Sequence, residues 1–180
     1  MNKLFKTISI LTVIISLITA CGTRTVQPQP EDKATTYETI LGKSLNDKHV
    51  IDFVASNDCS SAAEYRLCKD VGIAFWGDSD QIVKMVYLYS GNTSGFKRYR
   101  GQLPYGLSFY DPMWRVEEKL GTLETNDTST PTLNPGLPDE ASSPDHFHYW
   151  AIYQRLDMTI IYNIPARDED AYIYAIVVHA

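Results

Sequence analysis

The sequence predicts an α+β domain: an antiparallel sheet with helices packed on one face. Three observations point there. Short runs rich in Val, Ile and Tyr recur between turns that carry Gly, Asp or Pro, as strands do. Two segments, "NDKHVIDFV" and "DPMWRVEEKLG", pair a helix-start signal with an apolar stripe. The two halves of the domain, 37-96 and 97-180, also echo each other, so the expectation extends to two tandem helix-plus-strands repeats.

Each element has its own reason. In "YETILGKSLNDKHVIDFVASND", Asn46 or Asp47 can cap a helix whose apolar face is Val50, Ile51, Phe53 and Val54. "CSSAAEYRLC" follows as a loop closed by Cys59 and Cys68. "DVGIAFWG" and "QIVKMVYLYS" read as two strands joined by the turn Gly77-Asp78-Ser79-Asp80. "SGNTSGFKRYRGQ" is a loop with Gly91, Gly95 and Gly101. The clearest helix lies in "FYDPMWRVEEKLG". Asp111 is its N-cap, and Pro112 takes the first helical position, where a missing N–H costs nothing. Met113, Val116 and Leu120 share a face, and Gly121 closes the helix. Residues 122-145 form a long Pro/Ser/Thr/Asp-rich loop, either mobile or a binding segment. "HFHYWAIYQRL" and "DMTIIYNI" predict a hairpin. "AYIYAIVVHA" predicts a last strand, apolar on both faces and therefore interior in its sheet.

Ahead of this domain, Lys3 and Lys6 precede an apolar stretch from Ile8 to Ala20. A positive start, an apolar core and a small-residue exit read as a secretory signal over 1-20. The stretch falls short of the roughly 20 apolar residues a bilayer span requires, and a short anchor helix is the alternative. Ile18-Thr19-Ala20-Cys21 resembles the lipobox of bacterial lipoproteins, with Ile18 where Leu is commonest. That resemblance implies cleavage before Cys21, diacylglycerol on its thiol and acylation of the new amino terminus. Several acyl chains at about 0.8 kcal/mol per buried methylene make a stable anchor in the bilayer. An aspartate after the cysteine resembles an inner-membrane retention signal; Gly22 stands there instead and favours the outer membrane, with the folded part facing the periplasm. Residues 21-36, with Pro-Gln-Pro and no aromatic, then form a flexible tether ahead of a binding domain over 37-180.

Losing Lys3 and Lys6 with the signal leaves 14 basic and 22 acidic side chains, a formal charge of −8 against −6 for the whole chain. An acidic surface argues against nucleic acid or anionic lipid as the main partner and suits a basic protein. Once Cys21 is assigned to lipid, Cys59 and Cys68 remain as an even pair. In an oxidising compartment they read as a disulfide worth about 2.5–3 kcal/mol by loop closure. A metal pair is the alternative, without C-x-x-C spacing to support it.

The echo between the halves is specific. "LGKSLND" (41-47) and "YGLSFYD" (105-111) share Gly42/Gly106, Ser44/Ser108 and Asp47/Asp111. "DVGIAF" (70-75) echoes "DMTIIY" (157-162), and "IVKMVYL" (82-88) echoes "IYAIVVH" (173-179). "LPYGLSFYDPMWRVEEKLG" is similar to the helix opening of small envelope lipoproteins of the SmpA/BamE type. It also resembles β-lactamase-inhibitor-like and immunity-type helix-plus-sheet modules. The similarity rests on Gly106, Ser108, Asp111, Val116, Leu120 and Gly121, and it implies a protein-binding module rather than an enzyme.

Motifs for chemistry are sparse. His146-Phe147-His148 would put two imidazoles on one strand face, a weak start for a zinc site without a third ligand. There is no G-x-S-x-G, and neither a Walker A nor a dinucleotide fingerprint occurs. No catalytic residue and no cofactor are therefore expected. Candidates for partner contact are the basic loop Lys97-Arg98-Tyr99-Arg100, together with Trp76 and Tyr110, drawn from twelve tyrosines and three tryptophans. The function expected first is an immunity or inhibitor protein that neutralises a toxic effector. An envelope-assembly or structural outer-membrane lipoprotein comes second, and a cell-wall or lipid-acting enzyme last.

Overall fold

A computed structural model describes residues 36–91, 95–121, 148–164 and 167–180. The signal over 1-20, Cys21, all of the tether but Thr36, the 122-145 loop and His146 lie outside the described residues.

Asp47 opens the first helix, α1 (Lys48–Ser56), by accepting the His49 N–H on Oδ1 at 2.8 Å. That satisfies one of the amides a helix start leaves unpaired. Val50 and Phe53 are buried, but Ile51 is 50 % exposed. Ile51 lies about 100° around the helix from Val50, off the stripe that meets the sheet. The four-residue apolar face read from sequence is corrected to Val50, Phe53 and Val54.

The segment read as a disulfide loop is a hairpin, β1 (Ser60–Ala62) and β2 (Tyr65–Cys68). It turns through Ala63 at φ 51°. The Cys59–Cys68 disulfide closes its base, with the Cα atoms 4.2 Å apart. Next come β3 (Ile73–Gly77) and β4 (Val83–Tyr89). In the turn between them, Asp78 Oδ1 accepts the N–H groups of Asp80 and Ile82 at 3.0 and 2.9 Å.

The second helix, α2 (Met113–Leu120), starts one residue later than the sequence indicates. Pro112 is its N-cap, in extended conformation, and bridges to Tyr172. Asp111 caps nothing in the helix. Its carboxylate turns back to the Ser108 N–H and grips Lys119, both at 2.7 Å. Met113 and Val116 are buried as expected, and Gly121 ends the helix at φ 88°. The chain then supplies β5 (Tyr149–Tyr153), β6 (Met158–Tyr162) and β7 (Ile173–His179).

All seven strands form one antiparallel sheet in the order β1-β2-β3-β4-β7-β6-β5. β7 is interior, as its two apolar faces predict. Both helices lie on one face: Val50, Phe53, Met113 and Val116 share a core with Phe75, Leu88, Ile160 and Ile176. The opposite face gathers Leu67, Ala74, Tyr87, Tyr89, Ile161, Ala175 and Val177, with Phe96 from the following loop. The described residues all fall within one compact unit, Ala34–Ala180.

Each half supplies a helix and a three-strand meander, β2-β3-β4 or β5-β6-β7, and the meanders meet where β4 pairs β7. The two meanders have a like register, each with a one-residue bulge at the same place. Trp76 pairs Met85 and Gly77 pairs Val83, leaving Lys84 bulged; Ile161 pairs Ala175 and Tyr162 pairs Ile173, leaving Tyr174 bulged. Val83 therefore matches Ile173, and Gly72 matches Asp157, each after a short 3-10 turn. Superposed by register, the meanders are displaced from the echoes of 70-75 in 157-162 and of 82-88 in 173-179 by two residues and by one. In a strand, a one-residue slip exchanges faces, and apolar residues on both faces hide it from the sequence.

Candidate interaction surfaces

On the sheet face opposite the two described helices, the register places side chains in rows. Tyr65, Trp76 and Met85 form one row, and it runs on to His179. Tyr89, Ala175, Ile161 and Trp150 form another. Tyr65, Trp76, Met85, Trp150 and Tyr174 are partly exposed around a buried floor of Ala74, Tyr87, Ile161 and Val177. Glu64 anchors Trp76 by accepting its indole N–H at 2.8 Å. Phe96 stacks on Tyr89 with ring centroids 4.0 Å apart. Burial lifts the Tyr87 phenol far above its ordinary pKa, and the neighbouring Tyr65 adds to the shift.

The basic loop divides. Lys97 pairs with Asp70 at 2.6 Å, both side chains exposed. Arg98 donates through Nε to the Ser90 carbonyl at 2.9 Å and stacks on the Tyr110 ring, 4.4 Å from its centroid. Its Nη1 also donates to the Tyr110 hydroxyl. Arg100 is exposed. Tyr99 is not a surface residue, which corrects its place among the contact candidates: it is 5 % exposed and sits in the helix-side core. A Cβ on Gly101 would lie 2.1 Å from the Tyr99 hydroxyl, so glycine makes room for the ring. Charged neighbours mask that inward residue in the sequence. Tyr110, by contrast, is 68 % exposed.

Of the histidine pair, only His148 is described; its ring lies 4.8 Å from that of Tyr174. Among the described residues, no three His, Cys, Asp or Glu side chains gather as a metal site would require.

Two features escaped the sequence reading. One is a second exposed aromatic region at the start of α2, where Trp114 and Tyr172 join Tyr110. Trp114 lies off the Met113–Val116–Leu120 stripe, and that spacing could have marked it as outward-facing. The other is a polar nest beneath α2. Tyr153 and Tyr162 are buried with hydroxyls that find no hydrogen-bond partner, and so is Oε1 of Glu117. Oε2 of Glu117 accepts from Arg167 at 3.0 Å. Burial raises the Tyr153 and Tyr162 phenols, and the Glu117 carboxylate pushes both further up. No family model, curated protein or solved structure matches the chain.

Proposed function

We propose that this chain is a lipid-anchored, periplasm-facing binding protein held to the outer membrane through Cys21. Within that class it is an immunity or inhibitor protein that neutralises a toxic effector by covering it. The sheet face opposite the described helices carries the reading. Five large side chains, Tyr65, Trp76, Met85, Trp150 and Tyr174, stand partly exposed there on five different strands. A sheet holds them rigidly, and Tyr and Trp give much contact area for little lost freedom. The acidic chain favours a basic effector and speeds encounter with it.

The test is a pull-down from membranes with the full chain, alongside a deletion strain challenged by sister cells. The reading expects one basic protein to be captured, capture to fall with Trp76→Ala and Tyr65→Ala, and the deletion strain to be sensitive. A deletion strain that leaks but resists its sisters, with the chain captured on outer-membrane assembly machinery, would replace this reading with the envelope-assembly one.

A further inference from the structure

We infer that the chain pairs with a second copy of itself through the aromatic patch at the start of α2. Tyr110, Trp114 and Tyr172 are 68 %, 48 % and 61 % exposed. The segments that carry Trp114 and Tyr172 are tied together, with Tyr110 two residues before Pro112. Pro112 bridges Tyr172, the Met113 N–H donates to the Ala171 carbonyl at 2.9 Å, and the Trp114 N–H donates to the Glu169 carbonyl at 3.2 Å. Large aromatics held rigid and open at these levels form a surface built for contact.

Charge is laid out along the same line. At one end Arg98 stacks on Tyr110, and the exposed Arg100 follows it; Lys97 is answered by Asp70. At the other end, next to Trp114, Asp168, Glu169 and Asp170 are exposed beside two cations: Arg167, which Glu117 also holds, and Arg115, which lies 5.8 Å over the Trp114 ring and is answered by Glu118, so acidic side chains prevail there. A partner of one sign meets repulsion at one end. A second copy, turned about a two-fold axis through the patch, sets Arg98 and Arg100 against Glu169 and Asp170 twice and closes aromatic on aromatic. Such a contact is self-complementary and limits itself to a dimer.

The full chain, purified in a density-matched detergent, is tested by sedimentation equilibrium. The wild type sediments as a dimer, and Trp114→Ala weakens dimerisation by about ten-fold or more. R98E/R100E alone and E169K/D170K alone are each monomeric, because like charges then face each other. Mixed in equal amounts, the two variants recover the dimer, because each end again meets its opposite. A monomeric wild type overturns the inference. So does either charge variant that stays dimeric alone, and so does a mixture that fails to recover.

Discussion

Where β2 runs into β3 the chain makes a 3-10 turn and leaves it through Gly72 in the left-handed region; where β5 runs into β6 the same turn leaves through Asp157. The φ values are 71° and 46°. One site demands glycine and the other does not. A Cβ on Gly72 would lie 2.4 Å from both the Lys97 carbonyl oxygen and the Tyr99 amide nitrogen, because the basic loop crosses there. At both turns the backbone oxygen accepts an N–H, Gly72 from Tyr89 at 3.0 Å and Asp157 from His179 at 2.8 Å, but Gly72 is buried under the loop whereas Asp157 is exposed and its side chain has room. Left-handed backbone alone tolerates an aspartate; close approach of a second backbone does not.

The layers beneath the helices differ in the same way. Cys68, locked to Cys59, corresponds to Tyr153, and Gly77 corresponds to Tyr162. A Cβ on Gly77 would already press within 2.7 Å of Leu45, whereas the second half accommodates a whole phenol. The first half is thus tied covalently over an apolar floor. The second rests on tyrosines and on Glu117, whose charge Arg167 answers.

Four variants test this contrast, starting with the largest effect. Gly72→Ala combines left-handed strain with a backbone clash and is expected to cost about 3 kcal/mol or more, read as a lower urea midpoint. Asp157→Gly should change stability by less than about 1 kcal/mol, with relief of strain partly offset by chain entropy. Equal effects at the two sites would refute the crossing-loop explanation.

Replacing Cys59 and Cys68 by serine should cost about 2.5–3 kcal/mol. The loss should be local. Amide exchange is expected to rise in α1 and the β1–β2 hairpin before it rises in β5 and β6. Uniform loss of protection would mean that the halves do not hold together independently.

Tyr153→Phe with Tyr162→Phe removes hydroxyls that lack partners, so stability at pH 8 should stay level or rise by up to about 1 kcal/mol. The pH dependence has a definite sign. Both phenols are raised from 10.0, so above pH 10 the unfolded chain sheds protons that the folded one keeps. Stability is full below pH 10 and falls as pH climbs past it. The double variant should lose less between pH 8 and pH 11 than the wild type. Tyr37, pushed up to about 12, keeps some alkaline sensitivity in both proteins. A loss above about 2 kcal/mol at pH 8 would mean that the hydroxyls do have partners.

What the sequence revealed follows from the strength of each local signal. β3, β4, β6 and β7 are legible because β-branched and aromatic runs end at aspartate turns. The cap of α1 is legible to within one residue: Asn46 and Asp47 both suit it in sequence, and Asp47 is the one that accepts the His49 amide. Hairpin β1–β2 is not, since serine, alanine and cysteine carry little strand signal and the disulfide draws the eye. Asp111 sits where a cap belongs, yet Lys119 and the Ser108 amide take its carboxylate, a long-range arrangement that no local pattern encodes. Tyr99 points inward from among cations for the same reason. Trp76, Arg98 and Tyr110 stand out in the sequence by residue type and position, and each has accessible surface; the opposed charges around Trp114 and Tyr172 depend on the bridge between distant segments.

The β4–β7 seam has one more consequence. Its pairs, from Met85–His179 to Tyr89–Ala175, join residues far apart in the chain, while every other pairing in the sheet is between neighbours in sequence. Each meander can zip locally, so the seam sets the slow, high-contact-order step of folding. β7 is the last strand in chain order, yet it lies inside the sheet. Until it arrives, β4 presents an open, apolar edge, and an emerging chain that stalls before Ile173 would expose that edge to other chains.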